Sequence, residues 1–198
     1  MAAGLVWHDI TTASGVTFAL GQWVPDTSSP NALTKAIMVP FGSDGTELSS
    51  SLRAYSASAT FTPAANSHVA NDCNGAAGTF ASMGISASRI MITSATLEID
   101  GGTAEATAWR LYLYNITPPS ATADDGAWDL PSGDRASFLG YVDLGTAVDL
   151  GSTQWVETHG INKQVTLAGT SLFGYLVNLT TLTPAAVAHI VTLHAVGM

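Results

Sequence analysis

Residues 109–141 read WRLYLYNITPPSATADDGAWDLPSGDRASFLGY: a strand, a turn-rich polar loop and a second strand. Successive side chains of a strand alternate sides. Trp109, Leu111 and Leu113 therefore share one face, and Arg110, Tyr112, Tyr114 and Ile116 the other. Neither face suits open water. The second would expose a large aromatic patch unless it is covered, by the chain's own loops or by a partner. Trp128 stands in the middle of the loop and is expected to anchor it to the body.

Outward from this stretch the pattern is strand after strand. Residues 53–62 alternate cleanly, with Tyr55, Ala57, Ala59 and Phe61 on one side and Ser56, Ser58, Thr60 and Thr62 on the other; Pro63 ends the run. Short strands are expected at 68–72 and 79–83. Residues 89–99 form a long strand whose apolar phase switches from Ile90 and Ile92 to Ala95, Leu97 and Ile99. One extra residue near Thr93 and Ser94, a β-bulge, would flip the facing in this way; burial of both faces is the alternative. Further strands are expected at 138–144, 154–158, 163–167, 172–179 and 187–196. About nine or ten short strands with Gly-containing turns predict an all-β, antiparallel two-sheet sandwich, with the jelly roll as preferred arrangement. No helical periodicity persists over several turns, which argues against a βαβ architecture.

Residues 1–52 read differently. Pro25, Pro30 and Pro40 interrupt them, and Trp7, Phe18, Trp23 and Phe41 stand singly. A short helix at 30–38 competes with a short strand at 35–39. The preferred reading is an extended N-terminal arm lying on a neighbouring surface. Its rival is that this segment supplies the first two strands of the main domain, residues 53–198.

Composition narrows the function. The 198 residues carry six Lys and Arg against 15 Asp and Glu, for a net charge of −9, and only 11% are charged. The basic residues stand singly, so no positive patch is available to displace counterions from phosphate, and a nucleic-acid partner is not expected. Cys73 is the sole cysteine, which rules out an internal disulfide. The opening MAAGLVWHD has neither the basic nor the apolar segment of a signal peptide, and no apolar run is long enough to span a membrane.

A search for chemistry returns little. Ser171 lies between Gly169 and Gly174, but the spacing is not that of a nucleophile elbow and no helix follows. His8, His68, His159, His189 and His194 lack ligand spacing and read as structural; His189 and His194 point to opposite faces of one strand. Glu98 and Asp100 share a strand face, a spacing that a glycosidase pair could use, but both fall on the polar side at a turn. Asp124, Asp125, Asp129 and Asp134 could offer oxygens to calcium, though not with EF-hand spacing. No catalytic residue, cofactor or metal is expected.

Four segments carry a resemblance. LYLYNITPPSA, WDLPSGDRASFLGYVDLG, TSLFGYLV and TPAAVAHIVTLHAV are similar to stretches in a family of small β-rich virion proteins of tailed bacteriophages, over about residues 53–198. The resemblance implies a non-enzymatic structural role, with a capsid decoration or cement protein as the specific expectation. It implies the major capsid protein as partner, a homo-oligomer (trimer preferred, dimer next), manufacture in the host cytoplasm and a place on the outer capsid surface. Trp7, Trp23 and Phe41 are then the candidate capsid contacts, and Tyr112 and Tyr114 the candidate subunit interface. The alternative is a carbohydrate- or receptor-binding module of a tail fibre or tail tip, with Trp109, Tyr112, Tyr114, Trp128 and Trp155 as stacking platforms.

Overall fold

The computed structural model describes the backbone of Gly4–Thr11 and Thr17–Val24, and residues 53–198 throughout. The chain divides into two compact units, Met1–Ser51 and Leu52–Met198. In the first, strands β1 (Gly4–Thr11) and β2 (Thr17–Val24) pair antiparallel as a two-stranded sheet. The expected helix or strand within 30–39 lies outside the described residues.

The second unit is built from β3 (Ala54–Phe61), β4 (Gly78–Phe80), β5 (Arg89–Ile99), β6 (Ala108–Tyr114), β7 (Phe138–Thr146), β8 (Val148–Asp149), β9 (Gln154–Thr166), β10 (Leu172–Asn178) and β11 (His189–Gly197). No helix occurs among the described residues. Every pairing is antiparallel, in a four-stranded sheet of order β4-β10-β6-β7 and a five-stranded sheet of order β3-β11-β5-β9-β8. Within this unit the chain crosses repeatedly from one sheet to the other, and of its sequence-adjacent strands β6–β7 and β8–β9 pair.

The two sheets face each other across one apolar core. Ala59 and Phe61 of β3, Ile90, Ile92, Leu97 and Ile99 of β5, and Val191 and Leu193 of β11 meet Phe80 of β4, Trp109, Leu111 and Leu113 of β6, and Leu172 and Leu176 of β10. The alternation seen in the sequence decides which residues face inward. On β3 the Ala59–Phe61 phase is buried while Ser56, Ser58 and Thr60 are exposed.

The phase switch in β5 is a bulge, as its apolar pattern requires. Along β11, Ser94 pairs with His194 and Ile92 with Ala195, so Thr93 has no opposite number. The extra residue lets Ile90 and Ile92 reach the same core as Ala95, Leu97 and Ile99. Without it the first half of the strand would turn its isoleucines to solvent.

Two expectations are corrected. The strands expected at 154–158 and 163–167 are one continuous β9. The intervening His159-Gly160-Ile161-Asn162 reads as a turn, but Gly160 (φ 69°) and Asn162 (φ 49°) take left-handed backbone that bulges the strand opposite Thr93 instead of ending it. The expected strand at 68–72 is a loop held by single bridges, His68 to Leu182 and Asp72 to Ala127.

Candidate functional site

The four-stranded sheet turns an aromatic outer face away from the core. Tyr175 of β10, Tyr112 of β6 and Tyr141 of β7 stand in register, and Phe173, Tyr114 and Phe138 form the next row. Over them lies the loop that joins β6 to β7. The Trp128 ring stacks on Tyr112 at 3.6 Å with 7° between planes, and it also meets Phe138. Tyr114 packs edge-on against Tyr175 and tilted against Phe138. The Tyr175 hydroxyl accepts a hydrogen bond from the Thr122 amide, and the Trp128 backbone amide donates to the Asn71 carbonyl. Trp128 thus anchors the loop, as the sequence indicates.

This arrangement bears on the candidate subunit interface. Tyr112 is 7% exposed and Tyr114 1%, and what covers them is the chain's own loop. Of the two covers open at the outset, loop or partner, the molecule uses the first, because a loop already tethered at both ends loses little entropy in settling on the face. Burial pushes the Tyr114 hydroxyl up to about 12. Ile116, expected on this face, lies beyond the end of β6 and is exposed. Trp7 and Trp23 stand on β1 and β2, opposite Gly21 and Leu5. Phe41 lies outside the described residues.

The four loop aspartates do not converge. Asp134 is buried and accepts from the Ser120 amide and hydroxyl; Asp129 accepts from the Leu130 amide. Asp124 accepts from the amides of Ala64 and Gly75, and Asp125 from the Asn66 side chain. Three of these bonds tie the loop to the β3–β4 connection. That connection brings His68, fully buried, with its Nε2 3.9 Å from an Asp124 oxygen. Ligating atoms of His68, Asp72 and Asp125 lie within 4.8 Å of one another. Cys73, next to this cluster, has its thiol pushed up to about 12, first by burial and then by the charges of Asp72 and Asp124. Sequence reading missed the grouping, because Asp125 is far from His68 and Asp72 in the chain and only loop packing unites them.

At the edge of the four-stranded sheet, Arg110 donates to Asp143 at 2.7 Å and lies 4.0 Å from the centre of the Tyr141 ring. The Asp143 hydrogen bond makes the guanidinium still more basic than usual. Beside it an open groove of ≈ 450 Å³ runs between β7 and β9, lined by Tyr141, Asp143, Thr158, His159 and Lys163 among others. The groove is shallow, and its lining mixes polar with apolar side chains, Val142 and Ile161 among them. Ser171 directly precedes β10, and Glu98 and Asp100 lie at the end of β5.

One further histidine, His189, is structural. His189 is buried with its Nε2 2.8 Å from Glu105, its Nδ1 3.1 Å from Val187 O, and its ring edge-on to Trp109. Glu105 also accepts from the Ala185 amide. The pair locks the loop before β6 to the loop before β11. His194 points to the opposite side of β11, as expected from their spacing.

The five-stranded sheet presents a different outer surface. Ser58, Thr192, Thr96 and Glu157 form one row across β3, β11, β5 and β9, and Ser56, His194, Ser94 and His159 the next. At its β8–β9 edge Val148 and Leu150 are exposed, and Trp155, paired with Val148, is 36% exposed. No protein-family model matches this chain, and no curated protein matches it.

Proposed function

We propose that this protein is a non-enzymatic structural component of a tailed-phage particle, a capsid decoration or cement protein. The observation that carries the reading is the strand order. Orders β4-β10-β6-β7 and β3-β11-β5-β9 support reading the sandwich as two interlocked Greek keys, the jelly-roll arrangement found among capsid proteins. Fold alone licenses no function; the sequence resemblance to phage virion proteins supplies the role. The charge-poor Ser and Thr face of the five-stranded sheet and its Val148–Trp155 edge are the surfaces left to meet sister subunits, a trimer in the preferred form. The unit Met1–Ser51 carries Trp7, Trp23 and Phe41 as contacts to the major capsid protein. Action is adhesive. Many weak contacts, repeated by capsid symmetry, bridge neighbouring capsid subunits with an avidity far above any single one.

The test is attachment. Full-length protein added to particles lacking it should bind in a fixed ratio to the major capsid protein, on the head. The body alone, residues 52–198, should stay folded and fail to bind. Labelling confined to the tail, or turnover of a polysaccharide by the purified chain, would sink the reading.

A further inference from the structure

We propose that His68, Asp72 and Asp125 form a binding site for a divalent transition-metal ion, zinc being the best fit, which staples the β6–β7 loop to the β3–β4 connection. Two independent observations meet here. The first is the cluster, with one ligating atom from each residue and all three within 4.8 Å. The second is His68 itself. Its ring is fully buried, and neither ring nitrogen has a hydrogen-bond partner. A buried imidazole left this way forfeits the hydrogen bonds it made in water, a penalty that native interiors rarely accept.

The surroundings suit a cation. Asp72, Asp124 and Asp125 bring three carboxylates together, and among the described residues no Lys or Arg forms an ion pair with any of them. Asp72 is held by the Val69 amide and Asp125 by the Asn66 side-chain amide, each through a single oxygen. Each carboxylate keeps its other oxygen for a ligand. Asp124, fixed by the amides of Ala64 and Gly75, stands 3.9 Å from His68 Nε2 and adds negative charge at the rim.

The donor set selects the metal. Calcium and magnesium take oxygen almost exclusively, whereas imidazole nitrogen with carboxylate oxygen suits zinc and its first-row neighbours. Zinc bonds to nitrogen and oxygen run about 2.0–2.2 Å, so ligand atoms on one ion stand roughly 3–4 Å apart. The present separations need a contraction of about 1 Å on that basis, which Asp125, exposed on its loop, can supply. Three protein ligands leave the fourth position to water.

The role would be mechanical. His68 and Asp72 belong to one connection and Asp125 to the other, and Asp72 already bridges to Ala127. An ion here would fasten the loop that covers the aromatic face.

Tag-free full-length protein, stripped with EDTA and dialysed, should take up one equivalent of Zn²⁺ by calorimetry. Its melting temperature should rise by roughly 5–10 °C at a hundredfold excess over Kd. Asp125→Asn, at an exposed position that keeps the body folded, should weaken Zn²⁺ at least about 10-fold, as removal of a charged ligand does. Asp129→Asn should leave it unchanged. His68→Gln should abolish binding, and if that variant fails to fold, the Asp125→Asn comparison stands on its own. No stoichiometric uptake, tighter binding of Ca²⁺ than of Zn²⁺, or Zn²⁺ affinity indifferent to Asp125→Asn would each overturn the proposal.

Discussion

The outer faces of the two sheets solve the same problem in opposite ways. Across the four-stranded sheet the exposed-side row is Tyr175, Tyr112 and Tyr141; across the five-stranded sheet it is Ser58, Thr192, Thr96 and Glu157. Aromatic rings in register cannot be left to water, so the first face recruits a roof. Trp128 and the residues around it fold back on Tyr112, and the β3–β4 connection closes in through Cys73, which bridges to Val177. Hydroxyls need no roof. Ser58 and Thr192 bond each other at 2.7 Å and meet solvent on their free side. The comparison teaches that only one of these faces is free to be a surface. Area that looks adhesive in sequence has been used internally, and the plain hydroxyl face is the one that stays open.

The largest effect expected is from Tyr112→Asp. It removes the ring beneath Trp128 and buries a carboxylate, and the loss should be about 3–5 kcal/mol by urea titration, the range for deleting a buried aromatic. If that variant instead remains as stable as the parent and merely separates into monomers, the roofed face is an interface after all. Trp128→Ala should cost less, about 2 kcal/mol, because the ring is only half-buried. It should also raise binding of a hydrophobic dye as the tyrosines are uncovered.

Alkaline titration probes the roof without mutation. Burial raises the Cys73 thiol from 9.0 and the Tyr114 hydroxyl from 10.0, each to about 12. The folded state holds these protons more tightly than the unfolded chain, so the stabilisation is whole below about pH 9 and is lost as pH climbs toward 12. The urea midpoint should fall across that window, and Cys73→Ala should remove its earlier part. A midpoint flat from pH 9 to 12 would show that neither group is buried as described. The smallest effect belongs to the bare face. Thr192→Ala breaks one exposed hydroxyl pair and should change stability by no more than about 1 kcal/mol. Trp155→Asp on the same sheet should leave the melting temperature almost unmoved while dispersing any trimer seen by ultracentrifugation.

Much of this contrast is legible in residues alone. The alternation from Tyr55 to Phe61 names the buried side of β3, and the phase switch across Thr93 names a bulge that the register then displays. Trp128 stands out as an anchor because an aromatic in a polar loop must find an apolar partner. Other features were hidden. Gly160 and Asn162 signal a turn wherever they occur, and only pairing with β5 shows that they bend β9 without ending it. The Glu105–His189 pair, and the meeting of Asp125 with His68 and Asp72, join residues remote in sequence, for which no local spacing exists to be read.

What the sequence determined by itself is the all-β class, the facing of each strand and the need to cover Tyr112 and Tyr114. These follow from local alternation and from the cost of wetting aromatic rings, both written residue by residue. Which strands neighbour each other, whether loop or partner does the covering, and which histidine meets which carboxylate were decided only in three dimensions. Those outcomes depend on long-range closure of the chain, where the energy lies in contacts between segments and not in any one of them.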